Sequence, residues 1–169
     1  MLPIKQLVTF KGHPYQVNDD EEMEELTDSV REHGILNPII VREIKEDGNY
    51  EIVSGHRRKR AAELAGLKEI PAIIREMSDE EATILMVDSN LYRERLLPSE
   101  KAFAYRMKNE AMKRQGKRND LLDEAQRGST AEQLGSEFAE SARQVFRFIR
   151  LTYLIPELLK LTDDKTLNF

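Results

Sequence analysis

The chain has 169 residues, 26 Lys+Arg against 31 Asp+Glu and a net charge of −5 at pH 7, a length that accommodates one compact domain or two small ones. Absence of cysteine excludes disulfides, thiol nucleophiles and thiolate metal sites, and the three histidines, His13, His33 and His56, have no ligand-like spacing. No apolar run approaches the roughly 20 residues of a spanning helix and the N-terminus lacks a signal layout, so a cytoplasmic chain without a membrane partner is expected.

Asp19-Asp20-Glu21-Glu22 places acids in the first turn of a helix with Met23, Leu26 and Val30 at helical spacing, ending at Gly34. Pro38 to Ile44 is short and β-branched, and Glu46-Asp47-Gly48-Asn49 turns into Tyr50-Glu51-Ile52-Val53, which predicts a hairpin. Gly55-His56-Arg57-Arg58-Lys59-Arg60 then opens a helix over 56–65 that ends at Gly66. A glycine turn, unpaired N–H groups, a positive macrodipole end and guanidinium forks together suit phosphate. The alternative is a solvated basic face with Ala61, Ala62, Leu64 and Ala65 packed inward. Ile70 to Arg75 reads as a strand whose Pro71 suits an edge or a strand start, and Ser78 with Glu81 forms a capping box that opens a helix through Leu91.

Beyond Leu97-Pro98 the pattern is helical throughout. Ser99 is placed to cap a helix running to about Gln115, with Phe103, Met107 and Ala111 on its apolar side and Gly116 as its end. Residues 117–129 read as a short polar helix with flexible ends. The net charge of −5 averages two unlike halves: residues 1–97 carry 13 basic and 20 acidic groups, residues 98–169 carry 13 and 11. Lys101, Arg106, Lys108, Lys113, Arg114, Lys117 and Arg118 stand against Glu110 alone, a stripe that favours a polyanion unless it is an ordinary solvated face.

Thr130 to Phe138, with Leu134 and Phe138 inward and Gly135 between them, followed by Ala139-Glu140-Ser141 and a second helix carrying Val145, Phe148 and Ile149, has helix-turn-helix layout over about 130–151. Ser141, Arg143, Gln144 and Arg147 lie where such a second helix meets DNA, since arginine suits guanine and glutamine suits adenine. Ala139 stands where the turn usually takes glycine.

Five segments in order resemble the ParB family of partition proteins: His13 to Gln16; Ser29 to Arg42; Gly55 to Ala62; Ser89 to Ala102; and Glu132 to Leu159. The resemblance implies an α+β chain, a small ParB/sulfiredoxin-like α/β domain over 1–97 followed by an all-α helix-turn-helix domain over 98–169. It implies CTP and Mg²⁺ as ligands, binding that closes two protomers into a clamp on double-stranded DNA, and a ParA-type ATPase partner. Carried over, Gly55, His56, Arg57 and Arg58 hold phosphates, Asn90 meets magnesium or phosphate oxygens, Arg93 and Glu94 complete the site, and Ile35, Leu36, Asn37 and Pro38 lie near the base. DNA-backbone contacts fall to Lys113, Arg114, Lys117 and Arg118.

Two positions depart from the family pattern: His56 stands where an acid is common, and Ser89 where a glutamate precedes the asparagine. Loss of that carboxylate favours nucleotide binding over hydrolysis, so any CTPase activity would be a slow switch. Two other readings stay open. One is a helix-turn-helix repressor whose α/β half mediates protein contacts; the other is a phosphotransferase on the α/β core shared with sulfiredoxin and free-serine kinases, although sulfiredoxin chemistry needs a cysteine. No stretch before Phe169 resembles the family's C-terminal dimerisation segment, so a longer parent protein is expected.

Overall fold

The computed structural model describes residues 1–44, 47–91, 96–118, 130–137 and 140–168, without the side chains of 116–118 and 131. Two compact units result, Met1–Ser78 and Asp79–Phe169.

In the first unit, β1 (Leu2–Pro3) pairs antiparallel with β5 (Glu69–Ile70). Four further strands, β2 (Leu7–Thr9), β3 (Ile39–Ile44), β4 (Asn49–Ser54) and β6 (Ala72–Ile74), form a sheet of order β2-β4-β3-β6. The predicted hairpin is the antiparallel β3–β4 pair, with a bulge between Ile40 and Val41. β2, which runs parallel to β4, was not foreseen. Pro71 splits its predicted strand in two and leaves β6 on the sheet edge, where a missing N–H is tolerated.

Helix α1 (Glu21–His33) starts on Asp20, whose Oδ1 accepts from Met23 N–H at 3.0 Å, and stops at Gly34 with φ +70°. Met23, Thr27 and Val30 form its buried stripe. Helix α2 (His56–Leu64) buries Ala61 and Ala62, but Leu64, expected inside, is exposed. Ile4, Leu7, Ile39, Val41, Ile52, Ala62 and Ile70 form one core cluster, and Met23, Val30 and Ala61 a second.

The second unit consists of α3 (Asp79–Leu91), α4 (Pro98–Arg118), α5 (Thr130–Glu137), α6 (Ala142–Leu151) and α7 (Pro156–Asp163). Helix α3 therefore groups with the helical unit, whereas the sequence reading drew the boundary at residue 97. Gly116 does not end α4, which continues to Arg118. Nor does Ser99 cap it: Pro98 is its first residue, Glu100 Oε2 accepts from Leu97 N–H at 3.0 Å, and Asp163 takes both Ser99 N–H (2.8 Å) and Ser99 Oγ–H (2.6 Å). The buried residues of α4 include Ala104, Tyr105, Lys108 and Ala111, while Phe103 and Met107 are only half-buried. The reading of 117–129 falls outside the described residues from 119 onward.

Candidate functional site

The turn into α2 is built around Gly55, at φ +111° in the left-handed region. A Cβ there would lie 2.5 Å from Ile39 Cγ2 and 3.2 Å from Arg58 Nη2, so both conformation and space require glycine. No side chain caps α2, unlike α1, so the first N–H groups of the helix present an uncompensated positive end. This geometry fits a phosphate group: helix N–H groups that no side chain caps, and a guanidinium beside them.

Arg58 ties this turn to the neighbouring segment. Its Nη1 donates to the carbonyls of both Asn37 and Pro38, each at 2.7 Å, and burial lowers its pKa from the ordinary arginine value. Arg58 thus sits against Asn37 and Pro38 and Gly55 against Ile39, while Leu36 is exposed and Ile35 packs on both core clusters. Arg57 is already engaged by carboxylates, with Nη1 at 2.9 Å from Glu22 Oε2 and Nη2 at 3.9 Å from Asp20 Oδ1. Arg60 grips Asp19 through two bonds at 2.9 and 2.5 Å; the hydrogen bond lowers the Asp19 pKa and raises that of Arg60.

His56 is held neutral by its surroundings. The ring is buried and stacks on His13 with centroids 3.7 Å apart, and its Nε2 accepts from Phe10 N–H at 3.4 Å. Burial first, then the charges of His13 and Lys59, push its pKa down to about 3. It is therefore neutral near pH 7 and brings no charge to a phosphate. His13 in turn donates from Nδ1 to Tyr15 O at 2.9 Å. The same loop is held at its other end by Glu51, which accepts from Lys11 N–H at 2.9 Å and pairs with Arg42 at 2.6 Å. An open groove of about 460 Å³ lined by Pro3, Ile4, Lys5, Leu67, Lys68 and Glu69 shares no residue with this site.

Asn90 belongs to the helical unit, on α3, where Nδ2 donates to Met86 O at 2.8 Å and to Ser89 Oγ at 3.2 Å. Arg93 and Glu94 lie outside the described residues. Among the described residues no group of three His, Asp or Glu side chains could hold a metal ion by itself.

In the helical unit three cations of the α4 stripe, Lys101, Arg106 and Lys108, are paired with carboxylates. Lys108 is 2 % exposed and bonds Asp88 at 2.5 Å and also Glu137; Lys101 bonds Glu140 with its ammonium 4.8 Å from the Phe148 ring; Arg106 bonds Glu110 at 3.0 Å. Lys113 and Arg114 are exposed, and the side chains of Lys117 and Arg118 are not described. Helices α5 and α6 cross where Gly135 stands: a Cβ there would collide with the Glu140 carbonyl, and Glu140 N–H donates to Gly135 O at 2.8 Å. The turn positions Phe138 and Ala139 are outside the described residues. Ser141 caps α6 by accepting from Gln144 N–H at 3.2 Å. Val145, Phe148 and Leu151 are buried, whereas Arg143, Phe146, Arg147 and Arg150 face outward and Gln144 is half-buried. Phe146, to which the sequence reading gave no role, is the exposed phenylalanine of this helix.

A family model described as the ParB N-terminal domain matches residues 1–91. The chain belongs to the ParB family. It is 43 % identical over 104 residues to a nucleoid occlusion protein of Geobacillus sp. (strain WCH70), covering 62 % of this chain and 37 % of the relative. It is 35 % identical over 159 residues to the chromosome-partitioning protein Spo0J of Thermus thermophilus, 94 % of this chain and 52 % of that one. The chain thus spans between a third and a half of these curated relatives.

Two solved structures of C-terminally truncated ParB from Caulobacter crescentus resemble it. The one complexed to the centromeric parS site has a TM-score of 0.59 at 28 % identity, covering 98 % of this chain and 78 % of that one. The one complexed with CTP-gamma-S has a TM-score of 0.50 at 30 % identity, covering 95 % and 81 %. Among the described residues no helix is long and apolar enough to cross a membrane.

Proposed function

We propose that this chain is a ParB-type DNA-binding protein of chromosome, plasmid or mobile-element partition, or of nucleoid occlusion, whose α/β unit binds CTP with Mg²⁺ and whose α5–α6 pair reads DNA. The observation that carries the nucleotide part is the uncapped turn at Gly55, with Arg58 fixed across it. The Caulobacter relatives with CTP-gamma-S and with parS support both halves of the reading.

In this reading the α2 N–H groups and Arg58 meet phosphate oxygens, Arg57 exchanges its carboxylates for phosphate, and the Asn37-Pro38 carbonyls hold Arg58 in place. Asn90 would turn Oδ1 to the cation, since Nδ2 faces Met86 and Ser89. Mg²⁺ would neutralise phosphate charge, taking most of its oxygens from phosphates and water. Arg93 and Glu94 join the site by the resemblance. Binding would favour self-association around DNA, with a ParA-type ATPase as further partner in the cytoplasm.

On α6, Arg143, Gln144 and Arg147 are assigned to base edges, and Ser141 keeps its hydroxyl hydrogen for a phosphate. Lys113, Arg114, Lys117 and Arg118 are assigned to the DNA backbone, so Lys113→Ala should weaken all sequences alike and lower the salt slope, whereas Arg143→Ala should lower discrimination.

The test is calorimetric titration with CTP, ATP, GTP and UTP in magnesium, on wild type and Arg57→Ala. Saturable CTP-selective binding lost in the variant supports the reading. No nucleotide binding would favour a DNA-binding repressor whose α/β half is an interaction module, in which Arg57 and Arg58 serve only the internal contacts described above.

A further inference from the structure

We infer that Phe146 is a specificity-determining residue that reads the C5-methyl group of a thymine; this rests on the reading of α6 as the DNA-contacting helix. Phe146 is 49 % exposed, although its own helix has a complete buried face in Val145, Phe148 and Leu151. Position 146 lies three residues after Arg143 and four before Arg150, so at 100° per residue it shares the outward face with Arg143, Arg147 and Arg150.

Exposed phenylalanine gains nothing from water, and among arginines it breaks an otherwise cationic surface. A DNA major groove offers what this mixture matches: phosphates and guanine edges for the arginines, and the thymine methyl as the apolar feature of the groove for the ring. Phe146 is the fifth residue of α6, between Arg143 in its first turn and Arg147, so it lies on the stretch of the helix that carries the assigned base readers. A surface for another protein would not require that the ring share its face with Arg143, Arg147 and Arg150.

The experiment selects a preferred duplex from a randomised library with the wild-type chain, then replaces its thymines one at a time by deoxyuridine. Wild type, Phe146→Leu and Phe146→Ala are titrated at one fixed salt concentration, with helicity checked by circular dichroism. At one thymine, loss of the methyl should weaken wild type about fourfold, the worth of one buried methyl group. Phe146→Leu should retain part of that discrimination and Phe146→Ala none, with the salt slope equal in all three because no charge has changed. If wild type binds the selected duplex but deoxyuridine has the same effect on wild type and Phe146→Ala at every position, the inference is overturned. Should the library yield no enriched duplex, the DNA reading itself fails, and the inference with it.

Discussion

Lys108 Nζ lies 2.5 Å from Asp88 Oδ1, which joins the middle of α4 to the end of α3 two residues before Asn90. The same ammonium bonds Glu137 at the end of α5, so one buried cation holds three helices of the unit.

Removing both carboxylates would take from buried Lys108 the two charges that bond its ammonium. The double variant Asp88→Asn/Glu137→Gln should lose about 3–5 kcal/mol of stability, and either single change much less, because the partner that remains still balances the charge. Urea unfolding of the four proteins checks this; equal losses in all three variants would mean that one remaining carboxylate does not balance the charge.

His56 links stability to pH with a known sign. Its folded pKa of about 3 lies below the unfolded value of 6.5, so its contribution is fully present above pH 6.5 and is lost as pH falls toward 3. The slope for one proton is about 1.4 kcal/mol per pH unit. Between pH 6.5 and 5, before carboxylates titrate, wild-type stability should fall and that of His56→Gln should stay nearly flat, as read by urea unfolding at several pH values.

Glu22 competes with a phosphate for Arg57. If nucleotide takes that guanidinium, Glu22→Gln should tighten its binding about two- to fivefold, the range of a partly exposed ion pair. Glu25→Gln, with the same charge change on the same helix, supplies the control for the general field. Isothermal titration of both variants at one ionic strength checks the difference, and equal gains would point to net charge alone.

Gly135→Ala should destabilise the chain by about 1–3 kcal/mol, because the added methyl falls on the Glu140 carbonyl and backbone must move to admit it. Ser136→Ala, one residue away and exposed, should change little. Thermal unfolding of both variants makes the comparison.

How much of this was legible in the sequence depended on the range of each interaction. Helix α1, the β3–β4 hairpin and the Gly55 turn follow from local spacing and caps, with Asp20, Gly34, Gly48 and Gly55 as punctuation. Lys108 and Lys101 read as solvated because a lysine usually is; their partners Asp88, Glu137 and Glu140 lie 20, 29 and 39 residues away. Ser99 had every local mark of a cap, yet Asp163, 64 residues on, claims it. Strand β2 has three residues and a parallel partner in β4, so nothing in its own sequence announces the pairing. At the candidate site the glycine turn was readable, but the carboxylates on Arg57 and Arg60 and the burial of His56 were not.

Helix α3 falls inside the stretch that the family model marks as one inherited module, residues 1–91, yet it folds with the unit that begins at Asp79. A chimera joined at residue 91 would therefore transplant α3 without α4, setting α3 from one parent against α4 from the other. A junction at residue 78 would instead keep α3 and α4 from the same parent.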